Sequence, residues 1–213
     1  MKTTSLTNKL IIFNIIIFFI VLIMFLIFKE KTADWFFLKP SDFISFKYPW
    51  TIVTHMFIHS VNFLHIFVNM LSLFFLGNFI ERIIGKKRFF WLYMFSGIAG
   101  GLAYVLSAYI TGQGMDTAAV GASGALFGIA GTLVFLTPNL PVYVMFIPIA
   151  MPLWFGVIFL LIFLWVVSAL LGLPIGNIAH LGGFLFGVTY GIYLRLKYKK
   201  KVKALNLFLS RKI

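Results

Sequence analysis

Six apolar stretches, at roughly 11–28, 63–80, 89–110, 120–137, 153–171 and 177–194, constrain this chain more than anything else in it. Each is close to the ~20 residues a helix needs to cross a bilayer. In hydrocarbon a single segment can satisfy its backbone polar groups internally only as a helix. The sequence therefore predicts an all-α polytopic membrane protein, a bundle of six transmembrane helices. A soluble domain of 213 residues has no interior large enough for a composition that is 62% hydrophobic. The first stretch reads as a retained span and not a cleaved leader. It is interrupted only by Asn14 and is followed by Lys29-Glu30-Lys31 in place of a small-residue cleavage site.

The connections fix an orientation. With the N-terminus inside, the cytoplasmic segments hold Lys2, Lys9, Arg82, Lys86, Lys87, Arg88, Arg195, Lys197, Lys199, Lys200, Lys201, Lys203, Arg211 and Lys212. The outer segments hold only Lys29, Lys31, Lys39 and Lys47, balanced by Glu30, Asp34, Asp42 and Asp116. This is the asymmetry of the positive-inside rule, and it puts both termini in the cytoplasm. The net charge of +13 then lies on one side, against anionic lipid, and calls for no nucleic-acid partner. Residues 1–10 form a cytoplasmic N-terminus, 11–194 the membrane domain and 195–213 a basic cytoplasmic tail. The aromatic-rich segment 29–62 suits the outer interface, Thr111–Thr117 reads as a flexible outer loop, and prolines make 142–151 a non-helical connector. Without cysteine there is neither a disulfide framework nor a thiol nucleophile.

Polar side chains inside spans are costly, which makes the few present informative. In this topology the second, fourth and sixth spans all enter from the outer face. Ser123 and His180 each lie about one turn below the start of a span, and His65 and Asn69 share one face early in the second. Gly121, Gly124, Gly128 and Gly131 make a small-residue seam beside Ser123, and Gly183, Gly187 and Gly191 share a face with His180. Such seams let helix backbones approach closely in lipid. Packed together, they would bring Ser123 within hydrogen-bond reach of His180, with Phe127 against the imidazole. Imidazole can then take the hydroxyl proton and return it to a leaving group. Asn69, His65 and the Ser123 backbone N–H are the candidate oxyanion donors. No acid lies at this depth, so the sequence predicts a Ser-His dyad and leaves Asp116 outside it.

Plainer readings compete. A serine in a glycine-rich span usually packs, and an intramembrane His or Asn usually bonds a neighbouring helix. His55 and His59 have the i, i+4 spacing of zinc ligands, but residue 56 is Met and no acid completes a site, so no metal is expected. Glu81 and Arg82 read as a solvated or paired turn at the cytoplasmic end.

Taken in order, His59…His65-x-x-x-Asn69, Glu81-Arg82…Gly85, Gly121-Ala-Ser123-Gly124 and Ala179-His180-x-x-Gly183-x-x-x-Gly187 make the chain resemble the rhomboid family of intramembrane serine proteases from about Trp50 to Tyr193. Two positions depart from the family pattern. Trp50 is followed by Thr51 where members often carry Arg, and His59 to His65 is one residue longer than the commonest form. The resemblance implies Ser123 as nucleophile, His180 as general base, His65 and Asn69 as oxyanion donors, and no cofactor. It also implies cleavage of single-span membrane proteins near the outer face of a multi-pass cell-membrane enzyme. A catalytically silent rhomboid-like binding or transport factor is the alternative, and such a protein should have lost one of the pair.

Overall fold

A computed structural model describes residues 5–144, 147–172 and 176–211, with Glu30 described by its backbone alone. Lys2 and Lys212, residues 145–146 of the connector and the outermost residues of both tails lie outside the described residues. The chain forms α1 (Leu6–Phe28), three short helices α2 (Glu30–Phe36), α3 (Pro40–Ile44) and α4 (Thr51–Thr54), and a 3-10 turn at His55–Phe57. There follow α5 (Phe63–Ser72), a π-turn at Leu73–Gly77 and α6 (Asn78–Ile84), which together make one long rod, then α7 (Lys86–Thr111) and α8 (Ser123–Leu136). A two-residue hairpin, β1 (Pro141–Val142) on β2 (Met151–Pro152), precedes α9 (Leu153–Leu171), α10 (Asn177–Lys197) and α11 (Lys199–Ser210).

Four helical rods among the described residues are long and apolar enough to cross a membrane: Leu6–Phe28, Phe63–Ile84, Lys86–Thr111 and Leu153–Leu171. The other two expected spans are α8, of 14 residues, and α10, of 21. Exposed apolar side chains cover the outward faces of α1 and α9, with Leu26 and Leu170 each 77% exposed. A soluble fold would hide such surface, and here it faces lipid.

α8 is apolar all round and almost wholly buried, as a helix at the centre of a bundle must be. It lies between α7 and α10, and glycine decides how closely. A Cβ on Gly183 or Gly187 would collide with the carbonyl oxygen of Gly124 or Gly128, and one on Gly191 would stand 2.8 Å from that of Thr132. The α10 positions 183, 187 and 191 thus mesh with the α8 positions 124, 128 and 132 at a matched four-residue spacing. Thr132 Oγ1 donates across the seam to the Gly187 carbonyl at 2.9 Å. On the other side Gly100 of α7 admits the Ala179 carbonyl, where a Cβ would be at 2.7 Å. Gly121, expected in the seam, stands outside it. Its φ of +121° is closed to other residues and turns the chain just before α8 begins.

The segments outside the rods are more ordered than the sequence predicts. Leu38 pairs with Ala119 in an isolated bridge, Ser41 N–H donates to the Met115 carbonyl at 3.0 Å, and Ser41 Oγ donates to Asp116 at 2.7 Å. The loop before α8 is therefore strapped to the segment after α1. The turn at Glu81 is not solvated either. Glu81 is buried and accepts from Leu6 N–H, Thr7 N–H and Thr7 Oγ1 at 2.9, 2.8 and 2.7 Å. Its carboxylate caps the N-terminus of α1, where free amides and the helix dipole both favour negative charge. The connector 142–151 has its two ends paired as the hairpin, a contact with no local sequence signal.

Candidate active site

α8 and α10 run parallel, and both begin at the end of the bundle where α7 finishes. Ser123 is the first residue of α8, so it opens the helix and does not sit a turn inside it. The reason is Gly121, whose backbone conformation cannot be helical. His180 is in the first turn of α10, its N–H donating to the Gly176 carbonyl at 3.0 Å. The glycine seam sets these two first turns side by side, and the Ser123 hydroxyl lies 2.8 Å from His180 Nε2. Phe127, one turn along α8, stacks on the imidazole with ring centres 4.7 Å apart and planes at 29°. Ser123 is half-buried and His180 is 7% exposed.

Nε2 accepts the serine proton when the imidazole carries its own proton on Nδ1. That Nδ1 is buried and has no partner among the described residues. Asp116, the acid closest in sequence to Ser123, is engaged with Ser41. Among the described residues no acidic side chain bonds the His180 imidazole.

A second imidazole stands over the serine turn. A Cβ on Gly121 would be 2.9 Å from His65 Nε2 and 3.7 Å from Ser123 Oγ, so Gly121 opens the space that lets α5 present His65 beside the hydroxyl. His65 Nδ1 and Ser60 Oγ are 3.0 Å apart, which holds the ring by its far side and leaves Nε2 against the Gly121 turn. A lone loop serine carries no signal in the sequence, so the part Ser60 plays is visible only in the fold. Asn69 is buried on α5, and its Nδ2 donates to the His65 carbonyl at 2.8 Å. That bond uses one of its two N–H groups, and Oδ1 is unpartnered among the described residues. The structure thus gathers Ser123, His180, Phe127, Gly121 and His65, and links Asn69 to them through the His65 carbonyl.

α8 contributes electrostatics as well as position. The N–H groups of Ser123, Gly124 and Ala125 precede the first intrahelical bond, Leu126 N–H to the Ala122 carbonyl, and the positive end of the helix dipole lies at Ser123. A hydroxyl, two imidazoles and these amides can bind, and bring to reaction, a group that develops negative charge on oxygen.

His55 and His59 stand behind this site. His55 Nδ1 donates to the Thr51 carbonyl at 2.9 Å, and the ring fills the space that Gly101 leaves on α7. The His59 ring meets His65 edge-on at 5.3 Å. Burial drives His55 down to about 4; burial, with neighbouring His65, drives His59 to about 3. Both are neutral at pH 7. Among the described residues no three His or acidic side chains converge on a point that would hold a metal ion.

The rhomboid domain family matches residues 47–197. The chain is 32% identical over 166 residues to "Rhomboid protein 1, mitochondrial" of Saccharomyces cerevisiae, covering 77% of this chain and 46% of that protein. It is 36% identical over 151 residues to "RHOMBOID-like protein 1" of Arabidopsis thaliana, covering 70% and 35%. It is 29% identical over 142 residues to "Rhomboid protease GlpG" of Haemophilus influenzae, covering 67% and 68%. The chain spans less than half the length of the first two.

Proposed function

The chain belongs to the rhomboid family, and from that premise we propose that it is an intramembrane serine endopeptidase working through a Ser123–His180 dyad. The observation that carries this reading is the 2.8 Å contact between Ser123 Oγ and His180 Nε2 at the start of a buried helix. Ser123 Oγ attacks the scissile carbonyl as its proton passes to Nε2. The tetrahedral oxyanion is held by the first-turn N–H groups of α8, by His65 Nε2–H and by the second N–H of Asn69. The imidazolium protonates the leaving amine, the C–N bond breaks, and a water activated by the same nitrogen releases the acyl group. Stacking by Phe127 keeps the ring in one plane through both proton transfers. Related proteins whose names include "rhomboid protease" support the class of reaction.

Hydrolysis inside a bilayer needs water at the serine. The 14 residues of α8 span about 21 Å, short of the ~30 Å hydrocarbon core. With α8 and α10 as the remaining two of six spans and both termini cytoplasmic, Ser123 lies below the outer surface, at the foot of a cavity open to that side. Substrates are single-span membrane proteins cut near their outer ends, and the enzyme resides in the cell membrane. α9 buries only Leu153, Gly156 and Val157, all near its first turn, so it is the rod best able to swing and admit a substrate helix.

The test is cleavage of a single-span substrate in reconstituted vesicles. The wild-type chain cuts it near the outer end of the span, and Ser123→Ala and His180→Ala do not. Cleavage that survives both substitutions, or that a chelator abolishes, would overturn the proposal.

A further inference from the structure

We propose that the groove between α1 and α6 is a binding site for one anionic membrane phospholipid, held at its phosphate by Arg82. The groove encloses about 470 Å³ and is lined by Asn8, Phe74, Phe75, Asn78, Phe79 and Arg82. It lies at the basic end of the bundle, opposite Ser123, and is separate from the proposed catalytic site. Its lining is graded along the Phe63–Ile84 rod. Arg82 stands near the end of that rod, and the three phenylalanines lie roughly 4–12 Å deeper at 1.5 Å per residue. Phe74 and Phe75 are 49% and 63% exposed, as side chains lying against acyl chains would be.

The polar end of the groove offers donors and no acceptor of matching charge. Arg82 is exposed and makes no hydrogen bond or ion pair among the described residues. The adjacent carboxylate, Glu81, is turned inward with three hydrogen bonds to the start of α1. Asn8 Oδ1 accepts from Asn78 Nδ2 at 3.4 Å, which leaves the Asn8 amide N–H groups free to donate. A guanidinium fork beside a free amide suits phosphate oxygens, and basic pockets between helices at this level suit anionic headgroups. The phenylalanine floor selects the source. A free phosphate has no use for it, whereas a diacyl phospholipid fills it.

The full chain, purified in mild detergent, is titrated with phosphatidylglycerol and the complexes are counted by native mass spectrometry. One adduct forms well ahead of further lipid, phosphatidylcholine does not match it, and inorganic phosphate fails to displace it. Arg82→Gln weakens the first adduct about tenfold or more, the scale of a charge-assisted contact. Arg82→Lys, which keeps the charge without the fork, falls between, and Lys200→Gln on the exposed tail leaves it unchanged. Circular dichroism shows whether each variant keeps its helices, and Arg82→Lys carries the comparison if Arg82→Gln does not. Equal binding by the Arg82 variants or by phosphatidylcholine would overturn the proposal, as would full displacement by phosphate, the mark of a free-anion site.

Discussion

At the scale of single residues, His65 meets four parts of the site. It touches the serine turn with Nε2, Ser60 with Nδ1, His59 with its ring face and Asn69 with its carbonyl. His65→Ala should lower kcat by ~10²–10³, the loss expected when one oxyanion donor goes, while the Ser123–His180 contact persists. Cleavage rates set beside fluorophosphonate labelling would separate those effects. Slow cleavage with near-normal labelling supports the donor role, and unchanged kcat refutes it. His55 and His59 give a stability signature. Their folded values, near 4 and 3, lie below the ordinary 6.5, so the unfolded chain binds more protons as acid is added. Stability is full above about pH 6.5 and falls as the pH drops through about 4. Thermal unfolding in detergent across pH 4–8 should show this slope, and His55→Gln should flatten it.

Elements meet here through their ends. Glu81 stands 75 residues from Leu6 in sequence, yet its carboxylate closes the first turn of α1. Glu81→Gln keeps the shape and removes the charge, weakening the bonds to two backbone amides. A loss of about 1–3 kcal/mol is expected from bonds to a charged group. A lower Tm with serine labelling intact at low temperature would confirm a structural cap, and an unchanged Tm would argue against it. The same long-range pairing explains what the sequence hid. The rods could be read from apolar length and the α8–α10 seam from glycine spacing, because each is written within a few turns of one helix. The Leu38–Ala119 bridge and the Glu81 cap join residues whose partners lie far along the chain, and the 141–152 hairpin closes a connector with no local turn signal. The sequence predicts the start of α8 a turn too early for a related reason. The conformation of Gly121 answers to His65 packed above it, and neighbouring residues do not reveal that.

For the whole molecule, the arrangement divides labour between a tight core and a loose perimeter. α7, α8 and α10 approach closely enough for carbonyls to sit where a Cβ would be, while α1 and α9 show broad apolar faces to lipid. A reactive pair needs the first, since a shift of 1 Å between α8 and α10 would break its hydrogen bond. Under the proposed function, admission of a substrate helix would need the second. The central claim is that Ser123 is activated by His180 within the folded bundle. Its most direct measurement is labelling of purified wild-type, Ser123→Ala and His180→Ala chains with a fluorophosphonate, with circular dichroism to certify the fold. Labelling of the wild-type chain alone, with both variants still helical, is the predicted result, whereas equal labelling of all three would contradict the account.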